Sequence, residues 1–246
     1  MSEQSYEDFI STVSHELRTP LTSIRGFSQT MLASWDKLDD ESKKKFLKII
    51  EEQSNRLISL VENMLSVTKL QSSKENLVYR EVDIKPVINT VVQIVKNQYP
   101  NHKFEINMHP QTPEIFVDRD KFQQVMMNLI ENAAKYSYDN STIKIESCGC
   151  DNCEFASIKI TDEGIGIPEN DYETIFQKFS RIDNPLTRKV QGSGLGLYIT
   201  KNIVEKMNGK ISVVSKQINN EKFETTFEVK LPSYSVEHQA EEKCRQ

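Results

Sequence analysis

Ser14-His15-Glu16-Leu17-Arg18-Thr19-Pro20 places an imidazole, a carboxylate and a hydroxyl within little more than one helical turn. On the helix that the flanking apolar residues predict, His15 points away from the apolar seam. A neutral imidazole carries a nucleophilic lone pair. Glu16 can accept the proton from the other ring nitrogen. Thr19 follows one turn along the same face, where its hydroxyl can orient a water toward whatever the imidazole carries. Pro20 cannot donate to the carbonyl of Glu16, so a bend is expected one turn beyond His15. A lone surface histidine is ordinarily inert, and these neighbours are what single this one out.

Two further constellations suit a nucleotide. Asn128, Asn132 and Lys135 recur at i, i+4 and i+7 and share one helix face. Two amides and an ammonium in a row suit phosphates and a hard cation, with the amide oxygen of Asn128 a reasonable Mg²⁺ ligand. Five of the eight glycines fall between Gly164 and Gly196, so this stretch is expected to bring backbone close to a ligand. In Asp162-Glu163-Gly164-Ile165-Gly166-Ile167-Pro168, a carboxylate at a strand end precedes a tight turn. An ionised carboxylate only accepts hydrogen bonds, so Asp162 suits an exocyclic amine such as that of adenine. Gly192-Ser193-Gly194-Leu195-Gly196-Leu197 opens a helix, where backbone N–H groups free of side chains can cradle phosphates. The G-x-G-x-G spacing follows a loop, so it is not the dinucleotide fingerprint. The P-loop and protein-kinase motifs are absent. Taken singly, a solvated polar face or a strand-ending turn accounts for each motif. Their combination is a strong signal.

The elements that must position these residues divide the chain. Ile10, Val13, Leu17, Ile24, Phe27 and Met31 form a heptad seam if Pro20 fills its gap, and Phe46, Ile50, Gln53, Leu57, Leu60, Met64 and Val67 form a second. The short polar connection at 35–40 joins them as an antiparallel hairpin, with Asp39 or Asp40 capping the second helix. Such a hairpin buries too little by itself, so pairing with a second copy into a homodimeric four-helix bundle is expected. From about residue 80, β-type runs appear at 81–84, 104–108, 115–117, 142–147, 156–161, 210–215 and 223–230. Helical segments fall at 86–97, 119–138 and 195–207. This reads as an α+β sandwich, one mixed sheet with helices on one face. The domain expectation is 1–75 for the hairpin, 76–232 for the sandwich and 233–246 for a charged, loose tail.

Composition bounds the rest. The 246 residues allow one large domain or two small ones, and 37% hydrophobic with 27% charged residues permits a packed core. A net charge of −5 argues against a basic nucleic-acid domain, and no nucleic-acid partner is expected. No apolar run is long enough to span a bilayer, and the polar, acidic start is not a signal peptide, so the chain reads as cytoplasmic. Cys148, Cys150 and Cys153 crowd one stretch and Cys244 stands apart. A closed zinc site needs four ligands and only three are local, so a hairpin tip that carries thiols is favoured over a metal or redox site.

The five motifs, in this order, resemble the sensor histidine kinases of two-component signalling. The resemblance runs from about Phe9 to Pro232. Residues 9–20 are similar to the family's H-box, Asn128–Tyr136 to its N-box, Asp162–Pro168 to its G1 box, Phe176-Gln177-Lys178-Phe179 to its F-box and Gly192–Leu197 to its G2 box. It implies a helical phospho-acceptor hairpin followed by an ATP-binding domain of the Bergerat (GHKL) type. It implies ATP and Mg²⁺ as cofactors. Asp162 would meet adenine, Tyr136 would lie against base or ribose, and Asn128 would hold Mg²⁺. Asn132 and Lys135 would stand near the phosphates and Arg181 near the γ-phosphate. Gly164, Gly166, Ile167, Phe179, Gly192, Gly194, Leu195 and Gly196 would complete the site, with a lid over about 179–192. His15 would take the γ-phosphoryl group with Glu16 as base, then pass it to an aspartate of a response regulator. Thr19 matches the position linked to the reverse task, dephosphorylating the regulator. No sensor, transmembrane or HAMP-like segment precedes Phe9, so the expectation is an upstream sensor domain or a sensor partner outside this chain. A GHKL-type ATPase and a non-catalytic dimeric scaffold are the competing readings.

Overall fold

The structure is a computed structural model that describes residues 3–71, 77–148, 153–180, 182, 192–219 and 222–234, with side chains in the first helix from residue 11 onward. The expectations for the Ile10 side chain, Arg181, Cys150, Cys244, most of the 179–192 lid and the tail beyond 234 lie outside what is described. The chain separates into two compact units, Met1–Gln71 and Ser72–Gln246.

The first unit is a hairpin of two long helices, α1 (Glu3–Ser34) and α2 (Asp40–Gln71), joined by a 3₁₀ turn at Trp35–Lys37. α1 continues through Pro20 without interruption. Asp39 closes the start of α2 by accepting from the backbone N–H of Ser42 at 2.7 Å. The Ser42 hydroxyl, and then that backbone bond, hold the exposed Asp39 carboxyl below its usual range. The two seams face each other, with the Phe27 and Phe46 rings 5.2 Å apart. Apart from Pro20, only Met31, Leu60 and Val67 are buried apolar residues among the hairpin's described side chains. Leu47, Ile58, Val61 and Leu65 form a second apolar stripe on α2, each more than 40% exposed in the single chain. Full burial of such a side chain is worth roughly 1.5–3 kcal/mol, and these are about half exposed, so each forgoes part of that and covering the stripe adds to hairpin stability.

The second unit runs β1 (Tyr79–Val82), α3 (Ile84–Gln98), β2 (Lys103–Met108), β3 (Ile115–Asp118), α4 (Arg119–Tyr136), β4 (Thr142–Cys148), β5 (Phe155–Gly164), α5 (Gly196–Lys206), β6 (Lys210–Gln217) and β7 (Phe223–Pro232). The strands form two sheets instead of the single one expected. Among the described residues β1 pairs only with β3, and a five-stranded sheet has the order β2-β4-β5-β7-β6. The β2–β4 pair is parallel and the others are antiparallel. The first strand also stops earlier than expected. Asp83 accepts from the N–H of Lys85 at 2.9 Å and caps α3, which claims Ile84 for the helix.

Alternation shapes the large sheet. Ile143 and Ile145 of β4, Ile158 and Ile160 of β5, and Phe227, Val229 and Leu231 of β7 are buried. Their neighbours on the other face are polar and pair across strands, as in Ser157–Glu228 (2.7 Å) and Thr161–Thr226 (2.9 Å). One face therefore takes the helices and the other meets water. α3 presents Val87, Ile88, Val91, Val92 and Val95, and α4 presents Phe122, Val125, Met126, Leu129 and Ile130 to the same core. Asp118 caps α4 by accepting from the N–H groups of Asp120 (3.0 Å) and Lys121 (3.1 Å), and also accepts from Val78 (3.0 Å). Among the described residues no helix is long and apolar enough to cross a membrane.

Candidate active site

His15 lies exposed on α1, and its ring has no hydrogen-bond partner among the described residues. Glu16 does not hydrogen-bond the imidazole. Its Oε2 sits 3.3 Å from a guanidinium nitrogen of Arg56 on α2, with both side chains about one-quarter exposed. The Thr19 hydroxyl donates to the carbonyl of His15 at 3.3 Å, so it is turned onto the helix backbone. Arg56 was not foreseen, because a pairing across the hairpin depends on the register of the two helices.

In the second unit, β5 runs three residues beyond its expected end and includes Asp162 and Gly164. Asp162 therefore continues the inward series Ile158, Ile160, and its carboxyl is carried to the helix-covered face. It is 4% exposed, has no hydrogen-bond partner among the described residues, and lines a cavity. Burial without compensation pushes its pKa up to about 8. Opposite it in the β5–β7 register stands Thr225, and opposite Thr225 in the β6–β7 register stands Ser215. The Ser215 and Thr225 hydroxyls are 3.0 Å apart, and Ser215 Oγ accepts from the N–H of Ile167 at 3.2 Å. The Tyr172 hydroxyl donates to the Ser215 carbonyl at 3.0 Å and accepts from its N–H at 2.6 Å. This network ties the turn after Asp162 to β6 and β7.

The cavity gathers five of the expected residues, Asn132, Tyr136, Asp162, Gly166 and Ile167. Ile175, Leu197, Thr225 and Phe227 line it as well. Gly164 packs behind them, where a Cβ would strike the Tyr136 carbonyl and Asp162. Gly166 has φ +75°, and a Cβ there would run into the Phe223 ring.

Asn128 and Lys135 do not line the cavity but border its glycine-rich side. The Asn128 amide nitrogen donates to the Thr200 hydroxyl at 2.8 Å, and its oxygen abuts Gly196. Lys135 Nζ and the Tyr136 hydroxyl lie nearest Gly192. Gly194 at φ +66° stacks on the backbone of Phe179, itself at φ +58°. Leu195 is fully buried and precedes α5. Cys148 is an exposed thiol, whereas Cys153 is disulfide-bonded. Among the described residues no cluster of three or more His, Cys, Asp or Glu could hold a metal.

A hairpin presenting an exposed histidine, followed by a sandwich whose inward carboxyl faces a glycine-bordered cavity, defines a histidine-kinase core. Residues 5–73 match the His Kinase A (phospho-acceptor) domain, and residues 117–235 match the histidine kinase-, DNA gyrase B- and HSP90-like ATPase. The chain belongs to the histidine kinases. It is 36% identical over 208 residues to the signal transduction histidine-protein kinase ArlS of Staphylococcus haemolyticus, covering 85% of this chain and 45% of that protein. It is 35% identical over 210 residues to the sensor protein kinase WalK of Staphylococcus saprophyticus, covering 85% of this chain and 34% of that protein. The chain thus spans less than half the length of these curated relatives. Among solved structures, the histidine kinase ThkA in complex with the response regulator protein TrrA superposes with a TM-score of 0.70 at 28% identity, over 92% of this chain and 61% of that one. The Acinetobacter baumannii histidine kinase AdeS superposes with a TM-score of 0.65 at 26% identity, over 89% of this chain and 98% of that one.

Proposed function

We propose that this chain is an ATP-dependent protein-histidine autokinase of a two-component system, with His15 as phospho-acceptor. The observation that carries the reading is Asp162, a buried carboxyl without a hydrogen-bond partner at the cavity wall, in a chain that also presents an exposed histidine beside a carboxylate. An acceptor left unsatisfied in an apolar wall fits a ring amine, which supports adenine as the group bound there. Tyr136 and Asn132 border the same space and suit base, ribose and phosphate. Lys135, beside Gly192, supplies positive charge for the phosphates, and Arg181 is assigned to the γ-phosphate.

The Asn128 amide nitrogen is taken by Thr200, which leaves its oxygen as the donor atom for a hard cation. Mg²⁺ bound there, with phosphate oxygens and water, would neutralise charge on the triphosphate. The chain's own residues do the rest. A His15 ring nitrogen forms the bond to the γ-phosphorus, the bond to the β–γ bridging oxygen breaks, and ADP leaves with that electron pair. Glu16 takes the proton from the other ring nitrogen, which requires it to turn from Arg56. Positioning and charge stabilisation carry most of such a transfer.

The phosphoryl group then passes to an aspartate of a response regulator, and Thr19 is assigned to the reverse hydrolysis. The exposed stripe of Leu47, Ile58, Val61 and Leu65 supports a homodimer joined through the hairpins. A supply of ATP and of receiver domains places the reaction in the cytoplasm, with the stimulus arriving from a sensor domain or partner.

Incubation with γ-labelled ATP and Mg²⁺, followed by addition of isolated receiver domains, tests this. Label should appear on the chain and move to a receiver. Steady phosphate release with no label on protein would identify an ATPase instead, and absence of nucleotide binding would leave a scaffold.

A further inference from the structure

We infer that Thr200 is a positioning residue for Asn128, selecting which end of its carboxamide faces the metal. The inference rests on Asn128 being the Mg²⁺ ligand.

Thr200 lies on α5 one turn beyond Gly196 and is 1% exposed. Its helix neighbours facing the core are Ile199, Ile203 and Val204, so an apolar side chain of the same shape would pack there without desolvating a hydroxyl. Among the described residues the hydroxyl has one hydrogen-bond partner, the Asn128 amide nitrogen at 2.8 Å, reached across α4 and α5.

A carboxamide has two ends of nearly equal shape and opposite chemistry, one donating and one accepting. Packing alone does not distinguish them. Gly196 lets the group approach the first turn of α5, where a Cβ would collide with the Asn128 oxygen. With the nitrogen committed to Thr200, the oxygen is the end left for a cation. Groups that orient a ligating side chain commonly matter to metal affinity about 10- to 100-fold.

The test is a Mg²⁺ titration of the full chain at fixed ATP, read by displacement of a fluorescent ATP analogue, beside nucleotide binding in excess chelator. Thr200→Val keeps the shape and removes the acceptor. Its Mg²⁺ midpoint should rise about 10- to 100-fold while chelator-phase binding stays near that of the parent. Thr200→Ser, which keeps the hydroxyl, should retain the parent midpoint. An unchanged midpoint in Thr200→Val, with Asn128→Ala shifted, would reduce Thr200 to a packing role and overturn the inference alone. An unchanged midpoint in Asn128→Ala would remove the ligand reading and the inference with it. Equal loss of nucleotide with and without Mg²⁺ in Thr200→Val would assign Thr200 to the fold and also overturn the inference.

Discussion

The Glu16 carboxylate pairs with the Arg56 guanidinium at 3.3 Å across the two helices of the hairpin, although forty residues separate them in the chain. The pair is partly exposed, so solvent screening limits its worth. A double-mutant cycle of Glu16→Ala and Arg56→Ala, followed by urea unfolding, should give a coupling of about 0.2–1 kcal/mol. A coupling indistinguishable from zero would show that the pair does not persist in solution.

Asp162 makes stability depend on pH in a defined direction. Burial raises its folded-state pKa from 3.8 to about 8. The stability it lends is whole below pH 3.8, where the carboxyl is protonated in both states, and is lost as pH rises through about 8. Relative to Asp162→Asn, the native chain should therefore lose stability steadily across that window. Parallel stability curves for the two proteins between pH 4 and 8 would contradict this.

The same group should govern nucleotide affinity with the opposite slope. A ring amine donating to Asp162 favours the ionised carboxylate, so below about pH 8 binding must release a proton. ATP affinity measured by calorimetry should rise with pH, by about tenfold per unit at most, and level off above 8. Asp162→Asn should bind weakly at every pH, with no proton release.

Gly166→Ala forces a side chain into a left-handed backbone and against the Phe223 ring. The backbone cost alone is about 1–2 kcal/mol, and relieving the collision adds to it. Thermal unfolding should show the loss, and ATP affinity should fall because Gly166 borders the cavity.

Asp118→Ala should cost about 1–2 kcal/mol at pH 7 through loss of the α4 cap. Burial raises the Asp118 pKa, but the backbone N–H bonds from Val78, Lys121 and Asp120 and the charge of Lys121 outweigh it, leaving the pKa lowered. The contribution is therefore present above the ordinary carboxylate range and lost as pH falls through the folded-state value. The difference between Asp118→Ala and the native chain should shrink in acid.

What was legible in the sequence was mostly local. Heptad spacing predicted the hairpin and its seam, and the β-type runs at 142–147 and 156–161 predicted strands where β4 and β5 lie. The first strand does not reach Ile84 because the Asp83 cap starts α3 there. Reading Asp162 as a strand-end residue missed that Ile158 and Ile160 set an inward parity which Asp162 keeps. Asn132, Tyr136, Asp162, Gly166 and Ile167 were readable because their motifs are contiguous. Thr225 and Phe227 reach the same cavity only through the β5–β7 pairing. Arg56 and Thr200 likewise find Glu16 and Asn128 across helix–helix contacts. No short-range spacing encodes those meetings. The separate β1–β3 sheet escaped for the same reason, since short strands do not announce their partners.

The central claim is that His15 receives the γ-phosphoryl group of ATP. Phosphorus NMR of the chain after incubation with ATP and Mg²⁺ tests it most directly, comparing the native protein with His15→Ala. The account predicts a phosphoramidate resonance on the native chain that disappears in acid and is absent from the mutant. A protein-bound phosphate resonance that survives acid, or one that persists in His15→Ala, would contradict it.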